Sequence, residues 1–526
     1  MAPEAGNASR LASRLINNAV FNLFGTVWPI LLGLITTPYI VQGLGLEPYG
    51  ILVLVSVVLG YVLLLDFGLS ASLVKYVAQY RAVKDFEILR TYIGTALIIY
   101  AMIGLAGCLI IGGLTYPLVG LLKVTPDLRP VAQFAFYVGA VGFSVNLVSG
   151  VFRAVIIGFQ RYDLSNLINV LSGTVQTIGT VAILWQGLWL KEVVLFQLAV
   201  SLVKLGLCVL SSHRLISGPI FRLAFDRQVA KSLMSFGFMT FIYRVSGLLL
   251  FQFDRTYIGF VLGGAAVTYY TIPDNLGRQM HSLPASATLA SFPLASELTS
   301  TQQNQTVRRL YLRGLKWTVA IASSMTAVLV ALSFKVLYYW MGHEFAQVSA
   351  IPLRLLLVSY GILAFTTIPS YIVDGMGLPR YNALFASLNA AINIIGCILL
   401  IPRWGILGAA IANMLPIFMV PIYLAFVERR ILGIKTVNHW ASVYIPSFGA
   451  ASLTFLLVYL IQYYWVNNLI QVVIAAGLGM ISFAVCAFIF GVFGEEDKKS
   501  LLEYLDPLAT QAKLIVQRLT YLVQNR

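Results

Sequence analysis

Eight ionisable side chains stand where the sequence is otherwise apolar, and through them this chain could do chemistry. They are Asp66, Lys204, Arg244, Asp254, Arg255, Asp274, Arg278 and His281. Ionisable groups at bilayer depth cost about 2.5–3.5 kcal/mol each on insertion scales and usually line a cavity. Arg244, Arg255, Arg278 and Lys204 are cations, and a guanidinium matches a phosphate through two parallel hydrogen bonds. The chemistry they suggest is recognition of an anion. Arg244 and Arg278 fall near mid-helix and are the first choice as anion ligands. Lys204 and Arg255 are the second, because each can instead carry its charge along its stem toward the headgroups. Asp66, Asp254 and Asp274 are candidate cavity or ion-coupling carboxylates, and His281 is a candidate proton-linked group. Each has a bland alternative. An arginine held by a local carboxylate only fixes packing, and Asp274 and Arg278 are one turn apart and able to pair. Arg244 lies ten residues before Asp254, about 15 Å along a helix axis, too far to pair with it. Asp66, just before Gly68, can cap a helix break, and His281 can be a hydrogen-bonded interface histidine.

The elements that must position these residues follow from composition. Of 526 residues, 59% are hydrophobic and only 10% charged, and the mean hydropathy is +0.85. A soluble protein is about 45–50% apolar and about 25% charged, so this chain cannot cover a water-facing surface. Disorder needs the opposite composition. An all-α polytopic membrane protein remains. Fourteen apolar segments are long enough to span: 16–42, 48–71, 91–115, 130–157, 164–185, 193–212, 233–262, 266–296, 310–340, 350–376, 382–401, 405–427, 441–465 and 468–493. The polar start with Arg10 and Arg14, followed by an apolar run too long for a signal core, reads as a first span rather than a cleaved leader.

The net charge of +15 would suggest nucleic acid in a soluble protein. Here it follows the rule that Lys and Arg concentrate in cytoplasmic loops. With a cytoplasmic N-terminus, 25 of the 35 Lys and Arg fall in inside segments, Arg153 and Arg161 among them; 6 fall outside and 4 within helices. That split predicts both termini inside. It organises the chain as an N-terminal amphipathic segment (1–15), a first six-helix lobe (16–212), an inter-lobe loop (213–232), a second lobe (233–427), two further helices (441–493) and an amphipathic tail (494–526). The lobes look like a parallel internal repeat. GFQRYD at Gly158–Asp163 resembles GLPRYN at Gly377–Asn382, PYIVQG at Pro38–Gly43 faces TYIGFV at Thr256–Val261, and Ile178-Gly179 faces Ile395-Gly396, at offsets of 217 to 219. Repeats of one orientation place substrate sites between the lobes.

Catalytic signatures are missing. No Walker A, HExxH or GxSxG sequence occurs, and no loop is long enough to hold a catalytic domain, so the chain is expected not to be an enzyme. Cys108, Cys208, Cys397 and Cys486 sit in apolar runs without metal-binding spacing. Tyr61, Tyr243, Tyr257, Tyr269, Tyr270, Tyr360 and Tyr371 could stack on sugars or belong to interfacial belts.

Three stretches carry a family resemblance. GLEPYGILVLVSVVLGYVLLLDFGLSASLVKYVAQY (Gly45–Tyr80), LLLFQFDRTYIGFVLGGAAVTYYTIPDNL (Leu248–Leu276) and GMGLPRYNALFASLNAAINIIGCILLIPRWGILGAAIANML (Gly375–Leu415) resemble bacterial polysaccharide transporters. These are the Wzx-type lipid-linked oligosaccharide flippases of the multidrug/oligosaccharidyl-lipid/polysaccharide (MOP) exporter superfamily. The resemblance covers helices one to twelve; fourteen helices are similar to the lipid II flippases. It implies two six-helix lobes of the MATE/MurJ-like kind around a cavity that opens alternately to each side. It also implies an undecaprenyl-diphosphate-linked oligosaccharide as cargo, a bacterial inner membrane location, and glycosyltransferases and a polysaccharide polymerase as neighbours in cell-surface polysaccharide (O-antigen) export. No cofactor is expected. The drive would be proton or sodium coupling, or the membrane potential acting on an anionic head group. The competing readings are a cation-coupled drug or metabolite exporter, in which carboxylates should dominate the cavity, and a polytopic enzyme acting on lipid-linked sugars.

Overall fold

The computed structural model describes residues 27–216, 225–289, 291–434 and 436–492. The expected N-terminal segment, the C-terminal tail and part of the inter-lobe loop lie outside these residues. Every described element is helical: α1 (Val27–Leu44), α2 (Leu46–Val62), α3 (Leu69–Ala82), α4 (Phe86–Leu121), α5 (Arg129–Gly158), α6 (Tyr162–Trp185), α7 (Leu190–Leu215), α8 (Arg227–Leu262), α9 (Gly264–Thr288), α10 (Ser291–Ser300), α11 (Asn304–Met341), α12 (His343–Leu363), α13 (Thr367–Gly375), α14 (Pro379–Met414), α15 (Met419–Phe426), α16 (Thr436–Tyr464) and α17 (Leu469–Ile489). Eleven segments are long and apolar enough to cross a membrane. One of them, Pro379–Leu432, is interrupted at Gly405 (φ 58°, ψ −138°) and counts twice. The long helices α8 and α9 carry Asp254 and Asp274, two of the four buried carboxylates among the described residues, and would complete the expected fourteen if they also cross. The chain is a multi-pass membrane protein.

Helix ends follow the residues that stop them. Asp85 caps α4 by accepting from the Ile88 amide at 3.1 Å. Asp226 caps α8 by accepting from Gln228 and Val229. Glu192 closes the start of α7 on the Trp189 amide at 3.0 Å. Such caps satisfy donors that the helix itself leaves unpaired. The second span is one apolar run in sequence but not one helix. After α2 comes a 3-10 turn, Leu63–Asp66, and then Phe67 (φ 44°) and Gly68 (φ 77°) in left-handed conformation before α3 begins. Glycine accepts that backbone at no steric cost.

The structure forms two compact units. One holds the chain up to Arg278 with Trp340–Ser359 and Leu378–Met419; the other holds Gln279–Tyr339, Tyr360–Gly377 and the chain from Val420 onward. The first unit's core includes Leu73, Val77, Leu89, Ile93, Val155 and Ile156 from α3, α4 and α5. α4 and α5 approach closely at Gly107, where an added methyl would lie 2.8 Å from the Phe143 ring. In the second unit Val328 and Leu332 of α11 pack against Val458 of α16 and Ala475 of α17.

Candidate functional site

Three helices of the first unit each present a polar row at helical spacing. On α5 it is Asn146, Ser149 and Arg153; on α6, Asn169, Ser172 and Gln176; on α7, Gln197, Ser201 and Lys204. Steps of three or four residues keep a row on one face. All nine side chains line one cavity of about 1020 Å³, closed further by α2, by the Leu63–Asp66 region and by Leu248 of α8. Asn146 donates to Ser201 Oγ at 3.2 Å and to the Gly142 carbonyl, which holds α5 and α7 in register. The side chains of Arg153, Lys204, Asn169, Gln176 and Gln197 make no hydrogen bond or ion pair with the described residues. The cavity therefore offers two unneutralised cations and a set of free amides.

Asp66 is the carboxylate of this cavity, and it is buried. Tyr100 donates to its Oδ1, Ser70 donates to its Oδ2 at 3.0 Å, and the two hydroxyls lie 3.0 Å apart. Asp66 thus stands on the cavity wall at the helix break, and these bonds come from side-chain hydroxyls rather than from the amides at the start of α3.

The charges of α8 and α9 take a different arrangement. Asp254 and Asp274 are fully buried. Asp274 Oδ2 accepts from Arg255 Nη2 at 2.6 Å and pairs with Arg278 Nη2 at 2.7 Å and Nε at 2.9 Å. Arg255 Nη2 also donates to Asn275 Oδ1 at 2.7 Å. Arg278 donates to the Phe251 carbonyl and lies over the Phe251 ring at 5.0 Å. Asp254 accepts from Tyr270 at 2.5 Å and from the Arg255 amide at 3.2 Å. Two guanidiniums thus share a carboxylate and pin α8 to α9. Arg255 and Arg278, expected as anion ligands, are both engaged by the one carboxylate of Asp274, which leaves one positive charge unbalanced in the trio. Arg255 does not snorkel either, because Asp274 on the neighbouring helix offers a buried partner. Of the expected ligands whose side chains are described, Lys204 lines the cavity. Arg244 lies in α8, and its side chain is outside the described residues. His281 stands half-buried on α9 in the second unit.

Arg153 lines this cavity, although its place near the end of a span puts it with the cytoplasmic loop charges in the sequence; the spacing Asn146–Ser149–Arg153 carries the signal. The tyrosines considered for sugar stacking whose side chains are described do not line this cavity, and the side chain of Tyr243 lies outside the described residues. Tyr270 is committed to Asp254, Tyr61 bonds Thr256 at 3.1 Å, and Tyr100 and Phe143 are the aromatic residues of the cavity wall. Among the described residues no His, Cys, Asp or Glu cluster could hold a metal ion, and the four cysteines are free thiols.

The turns at one end of the first unit are tied together. Trp189 Nε1 donates to the Leu44 carbonyl at 2.9 Å, and the Thr125 amide donates to Glu47 at 2.9 Å. Lys123 Nζ donates to the Val261 carbonyl at 2.7 Å, and Thr268 donates to the Leu46 carbonyl at 2.6 Å. At the centre a methyl added to Gly50 would lie 1.9 Å from the Gly264 carbonyl oxygen. That end is closed by direct backbone contact.

Residues 15–299, more than half of the chain, match the family described as polysaccharide biosynthesis protein. The chain belongs to that family. This polysaccharide biosynthesis family member is 22% identical over 424 residues to the Shigella flexneri protein named "Putative O-antigen transporter", covering 80% of this chain and 99% of that one. It is 24% identical to the Haloferax volcanii protein named "Probable flippase AglR", covering 77% and 81%. Its fold is similar to that of the lipid II flippase MurJ in an inward closed conformation, with a TM-score of 0.74 and 14% identity over 90% of this chain and 98% of that one. It is also similar to an inward-facing multidrug resistance MATE transporter of the MOP superfamily, with a TM-score of 0.64, 15% identity and coverage of 78% and 99%. The family member thus has the all-helical MOP fold expected from its sequence.

Proposed function

We propose that this protein moves a lipid-linked oligosaccharide, carried on a polyprenyl diphosphate, from the cytoplasmic to the outer leaflet by alternating access. The observation that carries the reading is the cavity of the first unit, with Arg153 and Lys204 unneutralised on its wall. Charge-assisted hydrogen bonds to a diphosphate are worth about 1.5–3 kcal/mol each. A glycan cannot cross hydrocarbon alone, because each unpaired polar group costs several kcal/mol. The cavity would hold the head group while the polyprenyl tail stays in lipid. Arg244 remains a proposed third cation. The tied turns around Gly50 and Gly264 would form the outer closure if the N-terminus is cytoplasmic, and the membrane would be the bacterial plasma membrane.

An inside-negative potential favours outward movement by about 2.3 kcal/mol per charge per 100 mV, so two uncompensated phosphate charges would bias direction. Proton or sodium coupling through Asp66 or Asp254 is the competing drive. Adjacent glycosyltransferases and a polymerase would supply and consume the cargo. The test is reconstitution of the full chain into liposomes with a fluorescent polyprenyl-diphosphate oligosaccharide. Head groups should exchange between leaflets faster than in protein-free liposomes, and faster still under an inside-negative potential. Exchange no faster than in protein-free liposomes would overturn the reading.

A further inference from the structure

The polar rows of the cavity are not uniform along their length. On α7 the row runs from Gln197 through Ser201 to Lys204, and on α5 from Asn146 through Ser149 to Arg153. Both helices start at the tied turns, so both rows end in a cation on the side away from that closure. α6 runs the other way. Gln176 lies nine residues before its end at Trp185, and Gln197 lies seven residues after the start of α7 at Leu190. The turn joining the two helices is short, so the two glutamines stand at similar depth. Lys204 is seven residues beyond Gln197, about 10 Å along the axis. The two cations therefore form a tier away from the tied turns, with Asn169 at the depth of Lys204, and Gln176 and Gln197 form an uncharged amide tier nearer those turns.

Both amides are half-buried, and neither side chain bonds to a described residue. An amide presents a donor pair and an acceptor side by side. That suits the hydroxyl and acetamido groups of a sugar, which also both give and accept. The tier spacing exceeds one sugar ring and is within the reach of a disaccharide.

We infer that Gln176 and Gln197 are specificity-determining residues that read the sugars next to the diphosphate. The inference rests on the flippase reading and adds to it which part of the cargo is recognised, and by what. A site built to bond hydroxyls discriminates against a ligand that lacks them. Cargo bearing neutral hexoses or N-acetylhexosamines should therefore bind more tightly than polyprenyl diphosphate alone.

The test uses the full chain in detergent micelles and two fluorescent probes. One is polyprenyl diphosphate bearing a neutral tetrasaccharide of hexose and N-acetylhexosamine; the other is the same lipid without sugar. The wild type should bind the glycosylated probe more tightly. In Gln176→Leu and in Gln197→Leu the ratio of the two Kd values should move toward unity, about tenfold in the double variant. Lys204→Gln should weaken both probes and leave the ratio near its wild-type value. Single variants keep the test available if the double variant misfolds. A wild type that binds both probes equally overturns the inference alone, as do glutamine variants that keep the wild-type ratio. A wild type that binds neither probe overturns the flippase reading and this inference with it.

Discussion

Gly50→Ala is the smallest change that should move this protein between conformations. The added carbon would sit 1.9 Å from the Gly264 carbonyl oxygen. Ordinary contact is about 3.5 Å, so α2 and the start of α9 must part by about 1.5 Å. Backbone cannot yield as a flexible side chain can, and overpacking of this kind costs about 1–3 kcal/mol. Thr268 to Leu46 at 2.6 Å crosses the same seam, and Lys123 to Val261 at 2.7 Å ties the adjoining turn after α4 to the end of α8. At about 0.5–1.5 kcal/mol each, their sum is the same size as the wedge. The closed population should then fall about tenfold or more, since about 1.4 kcal/mol is a factor of ten. Spin labels at the exposed residues Asp127 and Val348, in a background without the native cysteines, would report it by electron-resonance distance measurement. The variant should lengthen and broaden the distribution. Gly33→Ala is the control, because a carbon added there meets nothing within 4 Å. If Gly50→Ala kept the wild-type distribution, the seam would not be a closing contact.

Two further perturbations separate structural from cavity charges. Asp274→Asn leaves the guanidiniums of Arg255 and Arg278 without their shared carboxylate, and breaking a buried pair costs about 3–5 kcal/mol. Its thermal unfolding midpoint in micelles should drop by several degrees, while Arg153→Gln stays near wild type; equal midpoints would contradict the pinning role. Tyr100→Phe removes one of the bonds to Asp66 at the helix break and should lower stability by about 1 kcal/mol. Ser70→Ala should cost a similar amount, read from the same unfolding curves, and no loss in either would contradict the tie.

Much of the fold was legible because bilayer thickness and hydrophobicity constrain it directly. The expected segments 130–157, 164–185 and 193–212 differ from α5, α6 and α7 by no more than three residues at either end. The break at Phe67 and Gly68 was visible only as a glycine after an aspartate, since apolar content does not report backbone handedness. The site was half legible. Asp274 and Arg278 pair as their spacing allows, but Arg255 joins them across nineteen residues and between two helices, which no spacing rule reveals. That third partner ties Arg278 into a link between α8 and α9. Arg153 was hidden for the opposite reason: a cation near the end of a span looks like a loop charge until its row with Asn146 and Ser149 is followed down the helix.

The most direct measurement is leaflet exchange of fluorescent polyprenyl-diphosphate oligosaccharide in liposomes containing Arg153→Gln/Lys204→Gln, compared with the wild type at equal insertion. Loss of two charge-assisted contacts worth about 1.5–3 kcal/mol each predicts a rate lower by at least a hundredfold, with Lys204→Arg close to wild type. Exchange at the wild-type rate in the double variant would contradict the claim that the two cavity cations hold an anionic cargo.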